Sequence, residues 1–305
     1  MLVRFLFVPK FDEPRWLINS GTQGCQLIPL EIGGTKVCII DTPGFDEAKR
    51  TDSEILTEIA KLLSAQYQLG VELKGIIYIH RITDIRYTGS AVKTFQIFQK
   101  ICGEKPLKNV LLVTSRWSAD LDEETGSQRE GELKENFWAY MLDRGSHMSR
   151  FYGDRDSAVM LISQLLVKDS VVLDLQHELV DKRKQLKDTT AGSYVNDSLE
   201  DVKAEYQKEL ASLVKLKEEL LEEDRATKRR IQQDLVKEKA HLQETQEQQV
   251  SLQRHVGDEV KEEINQKRSV LSNLLPFIPF VLDILGIFVG IPPGALTTIS
   301  AWLQQ

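Results

Sequence analysis

Residues 26–44 read Gln26-Leu-Ile-Pro-Leu-Glu-Ile-Gly-Gly-Thr-Lys-Val-Cys-Ile-Ile-Asp-Thr-Pro-Gly44, and this stretch decides the fold class. Two short β-type apolar runs flank Gly33-Gly34, a pair suited to a tight hairpin because glycine tolerates positive φ. The second run leads directly into Asp41-Thr42-Pro43-Gly44. A carboxylate therefore stands at the C-terminal end of a strand, where ligands bind in open α/β sheets. Read functionally, Asp41 holds the water shell of a Mg²⁺ ion and the Gly44 N–H meets a terminal phosphate. The competing reading is an ordinary Asp-Pro-Gly turn.

Working outward, Thr51-Asp-Ser-Glu54 has the form of a capping box, and Ile55, Ile59, Leu62 and Leu63 make a helical stripe that predicts a helix to about Gln68. Residues 74–80 read as a buried strand, 90–101 as a helix and 109–114 as another buried strand. A further helix is expected over 132–142, a short strand over 149–152, and a closing helix over 156–166 capped by Asp156. Short strands alternating with helices predict an α/β domain. The composition then changes twice. Residues 171–272 are rich in Glu, Lys, Gln, Asp and Arg with Leu and Val at three-to-four-residue intervals, which predicts a long helical or coiled-coil region. Residues 274–303 are largely apolar, with Asp283 their only charge and prolines at 276, 279, 292 and 293. The expected organisation is an atypical stretch at 1–19, an α/β domain at 20–170, the charged helical region at 171–272 and a hydrophobic segment at 273–305.

The formal net charge of -7 argues against nucleic acid as a partner, since phosphate-backbone binding draws on excess Lys and Arg. Three widely spaced cysteines, Cys25, Cys38 and Cys102, lack any C-x-x-C or His partner. They fit small buried side chains in a reducing compartment. The opening Met1-Leu-Val-Arg-Phe-Leu-Phe-Val-Pro9 lacks a basic leader and a small-residue cleavage site, so an intracellular, cytoplasmic protein is expected.

Five features carry a resemblance: Ser20-Gly-Thr-Gln23 ahead of the hairpin, Asp41-Thr-Pro-Gly-Phe-Asp46, Gly75-Ile-Ile-Tyr-Ile-His-Arg-Ile82, Val110-Leu-Leu-Val-Thr-Ser-Arg-Trp117 and Met141-Leu-Asp-Arg-Gly145. The stretch from about 20 to 180 resembles the P-loop GTPase G domains of the avirulence-induced and immunity-associated GTPases, in the septin and dynamin-like grouping, and is most similar to fungal G-domain proteins. The resemblance implies a GTPase-like sheet with flanking helices, GTP and Mg²⁺ as ligands, and GTP hydrolysis in a switch or assembly role. It also places Thr22 in switch I as a Mg²⁺ ligand, Asp41 and Gly44 at the start of switch II, and Ser115, Arg116, Trp117 and Ser118 on the guanine-reading loop. For Thr22 the alternative is a plain loop hydroxyl.

The departures matter as much. No G-x-x-x-x-G-K-[ST] occurs, so the backbone cradle and the lysine for the phosphates are missing. Ser118 stands where the family's Thr-Lys-Trp-Asp pattern has its aspartate. A hydroxyl cannot reproduce the charged bidentate pair with guanine, a loss of roughly 1.5–3 kcal/mol. Phe45 follows Asp-Thr-Pro-Gly where some GTPases place a water-orienting glutamine, so hydrolysis would need another group; His80 and Arg81 lie nearby in topology. The first nineteen residues occupy the place of the first strand, phosphate loop and helix. Leu2-Val-Arg-Phe-Leu-Phe-Val8 suits the vacant central strand, but Pro9-Lys-Phe-Asp-Glu-Pro14 has no glycines. The preferred reading is a truncated or misassembled start to a normal GTPase, inactive in this form. The alternative is a non-catalytic pseudo-GTPase scaffold acting through its helical arm and hydrophobic tail.

In the arm, Leu199, Val202, Tyr206, Leu210, Leu213 and Leu220 make a seam usable for self-association, while Ile231, Leu235 and Leu242 are isolated among charged residues and favour a helix folding back on another. In the tail, Asp283 and the prolines disfavour a simple transmembrane helix. A helical hairpin is expected there, inserting shallowly in a membrane surface or docking on protein.

Overall fold

The computed structural model describes residues 2–8, 25–42, 45, 50–85, 87–117, 121–219 and 225–272. Six strands, β1 (Leu2–Val8), β2 (Gln26–Ile32), β3 (Thr35–Asp41), β4 (Glu72–Arg81), β5 (Val110–Ser115) and β6 (His147–Arg150), form one mixed sheet in the order β2-β3-β1-β4-β5-β6. Gly33 and Gly34 turn the β2–β3 hairpin with φ of 57° and 79°, the left-handed pair that a two-residue hairpin requires.

Leu2–Val8 fills the central position between β3 and β4, as its apolar run predicts. Its direction is the unexpected feature. β1 is antiparallel to both neighbours, with Arg4 opposite Asp41 and Leu2 opposite Ile79, whereas β4, β5 and β6 are mutually parallel. The amino end of β1 therefore points to the sheet edge at which β3, β4 and β5 end.

Helices α1 (Asp52–Gln68), α2 (Gly89–Cys102), α3 (Glu123–Glu132), α4 (Ala139–Leu142) and α5 (Arg155–Leu166) complete the α/β unit. The Thr51–Glu54 capping box is present at α1. A π-helical stretch, Leu133–Phe137, joins α3 to α4, so the helix expected over 132–142 is two pieces, and α3 ahead of it carries too little apolar periodicity to be read from sequence. Asp154, not Asp156, caps α5 by accepting from Ser157 N at 2.7 Å. On one face of the sheet, Phe5, Ile40, Ile76, Tyr78 and Leu112 pack with Ile55, Ile59 and Phe98 of α1 and α2. On the other, Leu6, Val37, Ile39, Ile77, Leu111 and Val113 cluster with Leu161, Ile162 and Leu165 of α5. Cys25, Cys38 and Cys102 are free and buried, and burial pushes the Cys38 thiol up to about 12.

The charged region folds back on the α/β unit. A short helix α6 (Asp174–Gln176) leads through a π-turn to α7 (Thr190–Glu219), α8 (Arg225–Leu252) and α9 (Val256–Ser272). α7 and α8 form an antiparallel hairpin: Lys203 reaches Gln249 at 3.3 Å, the Tyr206 and His241 rings stack at 5.5 Å, and Lys217 donates to Gln232 at 2.5 Å. Of the two sequence readings of the arm, helix folding on helix is the one observed. Leu199, Tyr206, Leu210 and Leu213 lie half-buried on the seam as expected, but Val202 is exposed and Lys203 takes its place, while Leu220 lies outside the described residues. α9 then returns to pack on α1, where Gln68 Nε2 donates to Gly257 O at 3.0 Å. At the root, Leu186 N donates to Arg254 O at 2.9 Å, and a Cβ at Gly192 would lie 1.7 Å from Leu186 O, so glycine alone permits that approach. No helix among the described residues is long and apolar enough to cross a membrane. The expected hairpin of 274–303 lies outside those residues.

Candidate functional site

The ends of β3, β4 and β5 converge on one sheet edge, the edge at which ligands bind in α/β sheets of this kind. Asp41 closes β3 there and Ser115 closes β5, with β1 and β4 between them. At ordinary strand spacing this separates them by roughly 14 Å. The structure thus brings Asp41 and the 115–117 segment to one edge, as the sequence predicts. Thr22, Gly44 and Ser118 lie outside the described residues.

Asp41 is engaged from within the sheet. Because β1 is reversed, Arg4 lies directly opposite it in register, and its Nε donates to Asp41 Oδ1 at 2.9 Å while Nη2 donates to Oδ2 at 3.4 Å. Both carboxylate oxygens are committed to one guanidinium, with the side chains 31% and 24% exposed. Glu58, which like Asp41 acts on the Cys25 thiol, is engaged as well: it accepts from Cys25 N at 2.5 Å and is paired with Arg50. Among the described residues no group of three or more His, Cys, Asp or Glu side chains could hold a metal. A Mg²⁺ ion at Asp41 would have to displace Arg4, so these residues do not fit the ion.

Phe45, which the resemblance sets where some GTPases have a water-orienting glutamine, is 6% exposed and packed in the main core. Its burial gives that position a hydrophobic duty.

The segment after β5 is fixed by its own contacts. Ser115 Oγ donates to His80 O at 3.2 Å, and Ile82 N donates to Ser115 O at 2.9 Å, which splices the ends of β4 and β5. Arg116 turns the chain with φ of 66°, a left-handed conformation unusual for a non-glycine residue. Trp117 Nε1 donates to Thr114 Oγ1 at 3.1 Å, and the Arg150 guanidinium lies 3.9 Å from its ring centre in a cation–π contact. Arg150 also donates to Glu130 at 2.6 Å and to Glu123 at 2.5 Å, and Thr114 Oγ1 donates to Glu130 Oε1 at 3.0 Å. These hydrogen bonds, chiefly those to Glu130, hold the Arg150 guanidinium pKa well above the usual arginine range. Nothing in the sequence singled out Glu130 or Arg150, which lie on a helix and a strand whose pairing only the fold reveals.

No family model matches the chain, and no curated protein is significantly similar to it.

Proposed function

We propose that this chain is a GTPase-like α/β domain used as a non-catalytic scaffold, which works through its helical arm. The observation that carries the reading is the Arg4–Asp41 pair. In a P-loop protein the phosphate-binding loop follows the central strand at the edge where Asp41 stands. Here the central strand is reversed, so the chain that follows Val8 leaves from the opposite end, and the strand delivers an arginine to the Asp41 carboxylate. Ser118 in place of the guanine-reading aspartate is in keeping with this.

A GTP-binding, GTP-hydrolysing switch is the second reading. It is favoured by the meeting of Asp41 and residues 115–117 at one sheet edge, and it requires Arg4 to release Asp41 to Mg²⁺. Isothermal titration of the full chain with GTP and Mg²⁺ separates the two. The scaffold reading expects no micromolar binding; a micromolar or tighter Kd overturns it.

The arm offers Val214, Leu216, Val236 and Val250 to solvent. Self-association through these residues is part of the proposal, and sedimentation equilibrium of the full chain showing only monomer removes it. A peripheral membrane contact through 274–303 rests on sequence alone, and liposome flotation of the full chain against a truncation after Ser272 tests it: equal flotation of the two rules out the tail as the membrane element.

A further inference from the structure

A cavity of about 360 Å³ opens beyond the end of β4, apart from the Arg4–Asp41 corner. This volume is at the lower end of the range of small-molecule sites. Its apolar wall is built from two rings, Tyr87 and Phe137, whose centres lie 4.3 Å apart at 32°. His80 also lines the space: it is only 5% exposed, and its ring lies 5.1 Å from Tyr87. Asp84, Arg129 and Glu132 add charged groups to the lining, with the Arg129 guanidinium anchored by donation to Ile82 O at 3.0 Å.

An imidazole lining such a space can be satisfied by something that occupies it. The surroundings fix what that can be. Two aromatic faces favour a flat π-system, and the imidazole asks for a polar ring edge. A charged group in contact with it is disfavoured, because burial lowers the His80 pKa to about 4 and leaves the ring neutral at pH 7, with one N–H to donate and one lone pair to accept. Arg129 stands against Glu132 at the lining, and the third charged residue there, Asp84, is paired with Arg81 at 3.3 Å, so the cavity does not select for an ion.

We propose that this cavity is a binding site for a small planar aromatic molecule with a hydrogen-bonding ring edge, which stacks on Tyr87 and Phe137 and pairs with His80. The site is independent of GTP and of Asp41.

The test is a titration of the full chain, ¹³C-labelled at histidine, with adenine, phenol and benzene as separate probes. His147, His177, His241 and His255 are exposed and serve as internal controls. Adenine or phenol is expected to shift the His80 signal selectively at low-millimolar concentration, with benzene about tenfold weaker for want of the hydrogen bond. Tyr87→Ala, at a half-buried position, should weaken the polar probes about tenfold. His80→Phe should reduce phenol to the level of benzene. The proposal is overturned if no probe moves His80 selectively, or if benzene matches the polar probes in the wild-type chain; both readings come from the wild type and do not depend on a variant folding.

Discussion

Replacing Arg4 by alanine tests the reversed central strand directly. The pair is neither a surface ion pair nor a fully buried one: the side chains are 31% and 24% exposed, and both Asp41 oxygens accept from one guanidinium. Exposed pairs contribute about 0–1 kcal/mol, and stripping one partner from a buried pair costs about 3–5 kcal/mol. Discounted for solvent, Arg4→Ala should cost about 1–2 kcal/mol. For a chain of this size that is a fall in Tm of roughly 2–6 °C. The informative measurement is the double-mutant cycle with Asp41→Asn, since β1 sits in the middle of the sheet and truncating Arg4 also removes packing. A coupling energy of about 1 kcal/mol is expected from chemical denaturation of the four proteins. Additivity within about 0.3 kcal/mol would refute the reasoning, because a β1 parallel to its neighbours would not place Arg4 opposite Asp41. The cycle needs no nucleotide, so it tests the strand's direction independently of the function proposed for it.

Other outcomes follow from the same structure. His80 titrates at about 4 in the folded chain because burial disfavours its cation, against about 6.5 when unfolded; as pH falls from 6.5 to 4 the unfolded state takes the proton first, so stability falls by roughly 3 kcal/mol, and His80→Phe should flatten that dependence in denaturation curves run across the window. For Glu178, burial pushes the carboxyl up, but hydrogen bonds from Lys184 at 2.7 Å and from Thr190 N at 2.8 Å outweigh it and its pKa is lowered; its stabilisation of the arm's root is present above about pH 4.5 and lost as pH falls through the folded value, so Glu178→Gln should speed hydrogen exchange at the start of α7 at pH 7 and leave little difference in strong acid. Within α3, two glycines should respond oppositely: Gly131 has open space and its alanine variant should gain up to about 1 kcal/mol of helix propensity. A Cβ at Gly126 meets Trp117 Cζ3 at 2.6 Å and Leu121 Cδ2 at 3.2 Å, so Gly126→Ala should lose about 1 kcal/mol net and alter Trp117 fluorescence; a stabilised Gly126→Ala protein would show that Trp117 is not fixed by Arg150 and Thr114.

Much of the α/β unit was legible because its signals are local. The Gly33-Gly34 turn, the Thr51–Glu54 box and the apolar runs of β4 and β5 each specify an element from within a few residues, and each stands where they put it. The arm was half legible. A seam of three-to-four spacing says that a helix needs a partner but not whether the partner is another molecule, and Lys203 shows why its membership was misjudged: a long aliphatic stem can occupy a seam position while its ammonium reaches Gln249 and Glu200 at the margin. Glu130 and Arg150 stayed hidden because a polar network is set by tertiary neighbours, and no periodicity encodes it.

The direction of β1 was out of reach for a deeper reason. Alternation with a period of two reads the same forwards and backwards, so Leu2–Val8 announces a strand and, by its apolar content, a central one, yet says nothing about which end meets Asp41. In a hairpin the turn supplies direction, and in a β-helix-β unit the helix does. For Leu2–Val8 the polarity is expressed in its register with β3 and β4. The choice has chemical consequences, because the pairing register carries Arg4 with it. An antiparallel β1 sets a guanidinium across from the end of β3, where it neutralises Asp41. A parallel one would have sent the chain after Val8 to that edge and turned the same arginine toward the other end of the sheet. One strand's polarity thus separates an edge built to meet phosphate and metal from an edge already occupied by its own ion pair, and this is why the Arg4–Asp41 coupling is the measurement on which the proposed scaffold role most depends.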